Sequence, residues 1–456
     1  WSGDLGSRAQ CRHVTEGYPI FRALARYRVD FFLFVGDTIY ADHACGGSDR
    51  VPGYDFVART LPEYRAKHRY NREDAAVQAY FRSLSVYAIW DDHEVRNDFS
   101  GPSEKLTEVG RQAFLDYFPI RPPHDDPARL YRKFRWGSLL EVFILDTRQY
   151  RSPNTEPDGP AKTMLGTAQK RWLIDSVAGS TATWKVVVSS VPLSVPTGGK
   201  AHDSWSNANV LGFPEENATG FALERDAILR VLRERGVTNL VFVAADVHHA
   251  ELIRHHPTPE WSFHEFIAGP LSASLGRPRP LDMGLNPRSL FALGGVETFG
   301  EVSVDPAGLT VRIVDVSGAV RFTRPLNRAP AGFVLSEGLS AGLAGGRGRR
   351  AARGRWRRSA RGRSVRRRPE RGRARPGWRH RPERAPRGAP GRRGERAGAG
   401  RRRGIARAGN TPCPSAPSSH RGQGACRARA VGWMAPVSAV DASRRTGGTG
   451  RFGPAR

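Results

Sequence analysis

The sequence predicts a protein of the α/β class that carries a long tail of different composition at its carboxyl end. Two observations indicate the fold class: short apolar runs alternate with amphipathic stretches, and acidic residues directly follow several of the apolar runs. A third observation separates the tail, because residues 329–456 contain 33 Arg, no Lys and five acids within a chain of net charge +28. Residues 1–328 are therefore neutral overall, and a uniformly basic globular protein is excluded.

The elements of the first half are predicted from apolar runs and their spacing. Residues 20–25 place apolar side chains three and four positions apart, as a helix requires. The run at 31–36 is fully apolar, which is typical of a strand buried on both faces. A charged helix at about 62–81 precedes a strand at 84–90, and a helix follows at 104–118.

The second half continues this alternation and then loses its helices. A strand is predicted at 139–145, and Gly179 ends the helix predicted at 166–177. The remaining elements are a β-branched strand at 184–190, a helix at 221–235, and strands at 240–245, 263–268, 302–304 and 309–314. Since no helix separates the last strands, part of the sheet is predicted to be antiparallel. The loop at 196–216 lacks periodicity, and loops of that length are usually functional or mobile.

Residues 329–456 consist mostly of Arg, Gly, Ala and Pro and show no apolar periodicity. Such a composition cannot bury enough apolar surface to offset chain entropy, so we expect disorder. Arg/Gly-rich segments can bind nucleic acid through its phosphates, but the aromatic residues that stack on bases are sparse here. The absence of Lys beside 33 Arg is typical of GC-rich DNA translated in a shifted frame, and we favour that interpretation.

The cysteines, the apolar runs and the first residues limit the class of protein further. Four Cys without a CxxC pair are too few for a disulfide-rich scaffold or a zinc ribbon, and Cys11 and Cys45 are expected to be buried thiols. No apolar run reaches the roughly 18 residues of a membrane span. The chain starts at Trp1 without Met or a charged leader, so we expect the edge of a fragment whose shortened first strand holds Asp4 poorly.

Acidic residues and histidines follow four of the predicted strands, which is where sites form in α/β sheets. These segments are 3–6 (GDLG), 36–42 (GDTIYAD), 90–98 (WDDHEVRND) and 245–249 (ADVHH). A single Gly-Asp after a strand is often only a turn or a helix cap. Four such strand ends together supply the carboxylate and imidazole ligands of hard metal ions, including a carboxylate able to bridge two ions. The sequence therefore predicts a metal site.

These segments and their surroundings resemble the PhoD-like alkaline phosphatases, within the calcineurin-like metallophosphoesterase superfamily. The matching stretches are GDTIYAD (36–42), WDDHEVRND (90–98), LDTRQYR (145–151), LGTAQKRWL (165–173), AADVHHA (244–250) and EFIAGPLSA (265–273). They occur in family order and span about residues 1–325, without the tail. The resemblance implies a four-layer α/β/β/α sandwich, hydrolysis of phosphate mono- or diesters by a metal-activated hydroxide in a binuclear site, and export to the periplasm or the cell exterior.

By this resemblance, several of the acidic residues would be metal ligands. Asp37 would bridge two metal ions, and Tyr40 would bind a trivalent iron as a phenolate. Asp92, Asp246 and His248 would complete the ligand shell. The resemblance thus implies a pair of metal ions, Fe³⁺ together with Ca²⁺ or another divalent ion.

The resemblance also implies groups that contact the phosphate ester. His93 would contact the phosphoryl oxygens or protonate the leaving group. Arg148 would clamp phosphate with its planar guanidinium, and His202 in the loop at 196–216 could reach substrate. Asp4 would bind metal in place of the Cys that binds iron in many family members, which leaves the identity of the metal pair open.

Two classes of function remain. The first is a metal-dependent phosphoesterase, with a phospholipid or teichoic-acid-type diesterase as the second choice within that class. The other is a non-enzymatic protein that binds nucleic acid or another polyanion through the basic tail. Loss of activity on substitution of Asp37 would support the first class, and loss of binding on removal of the tail would support the second.

Overall fold

The structure, a computed structural model, describes residues 1–328. The predicted tail at residues 329–456, with its disorder and its polyanion binding, lies outside the described residues. No helix among the described residues is long and apolar enough to cross a membrane.

The helices are α1 (Pro19–Leu24), α2 (Leu61–Arg72), α3 (Ala75–Ser83), α4 (Thr107–Tyr117), α5 (Gly166–Ala178) and α6 (Ala222–Glu234). The strands are β1 (Phe31–Val35), β2 (Ser85–Ile89), β3 (Arg132–Trp136), β4 (Leu140–Ile144), β5 (Trp184–Val188), β6 (Leu240–Ala244), β7 (Ala250–Thr258), β8 (Trp261–Ile267), β9 (Pro287–Leu293), β10 (Thr298–Val304), β11 (Gly308–Asp315) and β12 (Val320–Asn327).

Capping side chains divide the long helix predicted at 62–81 into α2 and α3. Thr60 and Glu63 form a capping box at the start of α2. Asp74 then accepts hydrogen bonds from two backbone N–H groups of α3, at 2.9 and 3.0 Å. The first N–H groups of a helix have no partner within it, so this carboxylate satisfies them and starts a new helix.

The larger sheet has seven strands in the order β3-β4-β5-β6-β8-β7-β9. Strands β4, β5, β6 and β8 are parallel, whereas β3 pairs antiparallel with β4, and β7 pairs antiparallel with both β8 and β9. The antiparallel part predicted for the sheet is thus present. The sequence analysis missed β3, β7, β9 and β12, because charged, His and Pro residues interrupt their apolar pattern.

The smaller sheet is assembled from three pieces. β1 and β2 are parallel, and β10, β11 and β12 form an antiparallel meander. Residues 1–2 lie between these pieces. Trp1 exchanges backbone hydrogen bonds of 2.7 and 2.9 Å with Gly300 of β10, and Ser2 bonds to Leu33 (3.2 Å) and Val35 (2.9 Å) of β1. The first two residues therefore join β1 to β10.

Asp4, which follows this segment, is held on two sides. Its N–H donates to the carbonyl of Gly36 (3.3 Å), and its carbonyl accepts from the N–H of Ser272 (2.9 Å). Asp4 is 1 % exposed. The expectation that a shortened first strand would hold Asp4 poorly is therefore wrong, because a segment distant in sequence pairs with it.

Alternate residues of the central strands face different layers. In β4, Val142 and Ile144 belong to the core between the two sheets, whereas Phe143 packs in the core under α5 and α6. On the other side, Phe21 of α1 and Tyr80 of α3 cover the smaller sheet. Helix, sheet, sheet and helix thus form four layers, as the α/β/β/α prediction expected.

Cys11 and Cys45 form a disulfide whose Cα atoms are 5.7 Å apart. The prediction of two free thiols is wrong, although both residues are buried as expected. The bond lies beside Tyr70 of α2 and joins two loops that are 34 residues apart in sequence. No local pattern reveals such a pairing, because only the fold brings the two loops together.

Candidate metal centre

Four loops, each at the carboxyl end of a strand or extended segment, meet at one end of the two sheets. Residues 4–6 follow the N-terminal segment, 36–42 follow β1, 90–98 follow β2 and 245–249 follow β6. Parallel strands end at the same edge of a sheet, so the side chains in these loops converge. The sequence analysis expected this arrangement.

The backbone turns sharply at this edge. Asp4, Asp37, Asp246 and His248 all have positive φ angles, between 48° and 68°. That left-handed region is costly for residues with a Cβ atom, and residues held in it cluster at functional sites. Gly36 has a φ of 81°, and a Cβ atom there would lie 2.5 Å from the side chain of the facing loop. Glycine therefore allows the two loops to approach each other.

Asp37 lies between two groups of potential ligand atoms. It forms one group with Asp4 and His248, and another with Asp92 and His93. The ligand atoms of each group lie within 4.8 Å of one another. A carboxylate shared by two groups is the arrangement that a pair of metal ions requires. Carboxylates combined with imidazoles suit several divalent and trivalent ions.

Several buried carboxylate oxygens of this cluster have no hydrogen-bond partner. They are both oxygens of Asp4, Oδ1 of Asp92 and Oδ2 of Asp246. A buried, ionised oxygen without a partner strongly destabilises a folded protein. A bound cation would remove that cost, so the residues present fit metal ions.

Burial and mutual repulsion act on the same carboxylates. Burial, together with the charge of Asp91, raises the pKa of Asp4 well above its ordinary value. Burial and neighbouring carboxylates also raise the pKa values of Asp37 and Asp246 well above the ordinary value. Cations bound among them would offset this repulsion and keep the carboxylates ionised.

Asp92 and His93 form a pair of opposite charges. Although burial raises the pKa of Asp92, the charges of His93 and Arg148 outweigh it and bring that pKa below its ordinary value. Burial lowers the pKa of His93, but the charge of Asp92 and a 2.7 Å hydrogen bond from Nδ1 to Asp42 raise it to about 9. Without bound metal ions, the surroundings of His93 therefore favour its protonated form at neutral pH.

The phenol of Tyr40 points at the first group. Its oxygen lies 2.9 Å from Nε2 of His248, and its ring packs against the rings of His43 and His93. Burial, with the nearby charge of Asp37, raises the pKa of Tyr40 well above its ordinary value. The protein alone therefore keeps this phenol protonated, and a phenolate there requires a bound cation.

Arg148 is held by carboxylates. Its Nε and Nη2 donate to Asp91 (2.6 and 3.0 Å), and its Nη1 and Nη2 donate to Asp203 (2.8 Å each). The guanidinium is fully buried. The predicted contact of Arg148 with phosphate stays a prediction, and in this structure two carboxylates occupy the guanidinium. These contacts suit a residue that fixes Asp91 and the loop carrying Asp203.

Among the described residues, the groups of potential metal ligands do not include His202. Its Nε2 lies 2.8 Å from a carboxylate oxygen of Glu215 in the same loop, and its predicted contact with substrate stays a prediction. The next residue, Asp203, forms a further carboxylate group with Asp92 and Asp98. The loop at 196–216 therefore reaches the candidate site through Asp203, whereas the prediction named His202.

Asp42 and His43 line the site, although the sequence analysis assigned them no role. They form another group of potential ligands with His93. Nδ1 of His43 lies 3.0 Å from the hydroxyl of Ser7, and burial lowers the pKa of His43 to about 4. The signal for both residues was present, because they directly continue the stretch that contains Asp37.

Glu94 connects the two loops that carry most of the ligands. Its Oε1 accepts hydrogen bonds from the N–H and the hydroxyl of Thr38, at 2.6 Å each. Its Oε2 accepts one from the N–H of Asp91, at 2.9 Å. Glu94 therefore holds the loop after β1 against the loop after β2. Its position inside the 90–98 stretch offered a signal, but the partners are visible only in the fold.

Two packed sheets with helices outside, and a carboxylate-rich cluster at their strand ends, define the class of metallophosphoesterase-like α/β proteins. The family model of the PhoD-like phosphatases matches residues 7–291, and the chain belongs to this family. Alkaline phosphatase D of Bacillus subtilis (strain 168) is 27 % identical over 280 residues, which is 53 % of this chain and 45 % of that protein. The chain thus spans just under half the length of that relative.

The comparison with solved structures concerns the fold. A structure of PhoD superposes with a TM-score of 0.55 and 21 % identity, covering 72 % of each chain. A purple acid phosphatase, PPD1 from yellow lupin (Lupinus luteus) seeds, is a more distant neighbour, with a TM-score of 0.47, 13 % identity, and coverage of 72 % of this chain and 52 % of that one. The likeness to PhoD supports the α/β/β/α architecture.

Proposed function

We propose that the protein hydrolyses phosphate mono- or diesters in a site that holds two metal ions. Membership of the PhoD-like phosphatase family supports the reaction class. The observation that carries the proposal is the set of buried oxygens of Asp4, Asp92 and Asp246 that have no hydrogen-bond partner, since Asp4 and Asp92 group with Asp37. Such a set is destabilising without cations and is suited to holding them.

The ligands divide into two sets in this proposal. Asp4, Tyr40 and His248 would hold one ion, and Asp92 and Asp246 would hold the other. Asp37, common to two groups of potential ligands, would serve both ions. An anionic phenol and a carboxylate favour a trivalent ion, so Fe³⁺ with Ca²⁺ or another divalent ion is the pair we propose.

The ions, when bound, supply a hydroxide nucleophile at neutral pH and neutralise charge on the phosphoryl group. The protein supplies the surroundings. His93 is a cation held by Asp42, and it is placed to stabilise developing charge or to donate a proton to the leaving group. No reorganisation is needed, because the hydrogen bond to Asp42 orients the ring in advance.

Arg148 acts through other residues in this proposal. Its guanidinium holds Asp91 beside Asp92, and it holds Asp203 in the long loop. Glu94 fixes the same region from the other side through the N–H of Asp91. Together these contacts keep the ligand loops in the geometry that the metal ions need.

The test combines elemental analysis with hydrolysis of p-nitrophenyl phosphate and bis(p-nitrophenyl) phosphate. Asp37→Asn should lose bound metal, and its rate should fall by about 10²–10³-fold or more, because one charged group serving both ions is removed. Asp125→Asn is the matched control, since Asp125 is exposed and distant in sequence from all four motifs. Normal metal content and rate in Asp37→Asn would refute the proposed site.

A further inference from the structure

An arginine without a carboxylate partner lies at the rim of the candidate metal centre. The side chain of this residue, Arg8, is exposed. Among the described residues, its guanidinium donates one hydrogen bond, from Nη2 to Nε2 of His43 at 3.4 Å, and it forms no ion pair. Inside the site, by contrast, the guanidinium of Arg148 is paired with Asp91 and Asp203. Arg8 therefore brings an uncompensated positive charge to the rim.

The hydrogen bonds of His43 fix which of its ring nitrogens is the acceptor. An arginine side chain can only donate, so Nε2 of His43 accepts from Arg8. Nδ1 then carries the ring proton and donates to the hydroxyl of Ser7, at 3.0 Å. Ser7 is buried, and its N–H donates to the carbonyl of Ser272, at 3.2 Å. A buried hydroxyl on a segment held by the backbone thus orients the imidazole toward Arg8.

Arg8 stands on a turn that is tied to the loop following β1. Its φ angle is 49°, in the left-handed region that is costly for a residue with a Cβ atom and is frequent at functional sites. Nε of Arg50 donates to the carbonyl of Ala9 at 2.8 Å, which holds the turn. The disulfide between Cys11 and Cys45 crosslinks the turn to the loop. The backbone of both segments is therefore positioned before a ligand binds.

His43 also connects Arg8 to the interior of the site. Its ring lies against the rings of Tyr40 and His93, with centroids 5.1 and 4.7 Å away. Among the described residues, Arg8 forms no hydrogen bond or ion pair with the proposed metal ligands. The guanidinium thus lies one imidazole away from His93, the residue proposed to face the leaving group. An anion bound by Arg8 would therefore belong to the leaving group, and not to the phosphoryl group at the metal ions.

We propose that Arg8, oriented by His43, binds a second phosphate group that the substrate carries on its leaving-group side. The substrate class is then a phosphate ester whose alcohol bears a further phosphate. The planar fork of a guanidinium suits this group, because two N–H donors can reach two of its oxygens. The inference rests on the proposed function and specifies the substrate of that same site.

The test uses two phosphonates, which resemble phosphate esters but have a P–C bond that is not hydrolysed. Hexane-1,6-bisphosphonate carries the second anionic group on a flexible chain, and hexylphosphonate lacks it. In calorimetric titrations of the full chain loaded with Fe³⁺ and Ca²⁺, we expect the bisphosphonate to bind about tenfold or more tightly than hexylphosphonate.

In Arg8→Gln this preference should fall to about twofold, the factor that two equivalent ends give by themselves. In His43→Leu it should fall by about threefold or more, because Arg8 loses the acceptor that orients it. Arg230→Gln is the matched control and should keep the preference of the wild type, since Arg230 is exposed on α6, which packs on the larger sheet.

Two results would overturn the proposal. The first is the same preference in Arg8→Gln and wild type, or no preference in wild type, since either shows that Arg8 does not bind the second anion. The second is equal weakening of both phosphonates in Arg8→Gln, which would place Arg8 at the phosphoryl group itself. An unchanged preference in His43→Leu would overturn the orienting role of His43.

The titrations do not depend on turnover, so they separate this inference from the proposed function. A wild type that does not hydrolyse p-nitrophenyl phosphate, but whose preference for the bisphosphonate is lost in Arg8→Gln, would refute the proposed hydrolysis and support the anion site at Arg8. Hydrolysis by a wild type that shows no such preference would refute the site at Arg8 and leave the proposed function standing.

Discussion

The two ends of the sandwich differ in what they bury. At the end where β1 and β6 terminate, carboxylates of Asp4, Asp92 and Asp246 are buried, and several of their oxygens have no hydrogen-bond partner. At the other end, apolar side chains such as Val142 and Val243 line a cavity of about 430 Å³. Buried carboxylates need compensating charge, whereas apolar side chains pack without it. The same pair of sheets therefore carries the candidate ligands at one end and apolar surface at the other.

The largest effect is expected at the charged end. Arg148→Met leaves Asp91 buried without its counter-charge and leaves Asp203 paired with Arg151 alone, so the free energy of unfolding should fall by about 3–5 kcal/mol. Chemical denaturation measures the change. Arg171→Met is the control, because Arg171 is exposed and should change stability by less than about 0.5 kcal/mol. A loss below about 1 kcal/mol in Arg148→Met would contradict the view that this end depends on its internal ion network.

The disulfide should have the next largest effect. Replacing Cys11 and Cys45 together with Ser should lower the free energy of unfolding by about 2–4 kcal/mol, because the unfolded chain is no longer crosslinked. Metal affinity should persist, since neither Cys belongs to a ligand group. Treatment of the wild type with dithiothreitol should cause the same loss, and it should cause none in the double variant. A parallel loss of metal would show that the disulfide also positions the ligands.

Two glycines offer a matched test, one at each end. A Cβ atom on Gly269 would lie 2.5 Å from Oδ2 of Asp4, so Gly269→Ala should weaken metal binding by about 10–100-fold. A Cβ atom on Gly300 would strike the ring of Trp1, so Gly300→Ala should cost about 1–3 kcal/mol of stability and leave metal affinity unchanged. Calorimetric metal titration and denaturation of both variants make the comparison. Loss of metal affinity in Gly300→Ala would mean that the two ends are not independent.

The smallest effect concerns acid stability and compares two buried histidines. Burial lowers the pKa of His68 to about 3, whereas the charged end raises the pKa of His93 to about 9. An unfolded His binds a proton below about pH 6.5. The contribution of His68 is therefore complete above that pH and is lost as the pH falls toward 3, by at most about 1.4 kcal/mol per pH unit.

His68→Phe should remove that part of the pH dependence. The measurement is the free energy of unfolding at pH 7, 6 and 5, compared with wild type and with His124→Phe, whose side chain is exposed. The same slope in His68→Phe and wild type would show that another group takes up the proton. The comparison then separates histidines kept neutral by burial from those kept charged by carboxylates.

Much of the candidate site could be predicted because its signals are local. A buried apolar strand followed at once by acidic residues is visible within ten residues of sequence, as at 31–42 and 240–249. Parallel strands end at one edge, so these local signals also predict proximity. Asp37, Asp92 and His248 were predicted in this way, and the structure places them in adjoining groups of potential ligands.

The sequence was least informative where a residue's partner is distant in sequence. The partners of Arg148, Asp91 and Asp203, lie 57 and 55 residues from it and no local pattern indicates them. Cys11 and Cys45 were expected to be thiols, but the fold joins them. Edge strands such as β3 were missed as well, because exposed edges carry charged residues that obscure the pattern.

The sequence by itself determined the α/β class, the family and the kinds of side chain that gather at the strand ends. These depend on local periodicity and on contiguous motifs, which are visible in the sequence without knowledge of the fold. The tertiary structure alone decided which charges face each other, which cysteines bond, and how residues 1–2 join β1 to β10. Those outcomes depend on contacts between segments up to about 300 residues apart, such as Trp1 with Gly300, and such contacts exist only after the layers have packed.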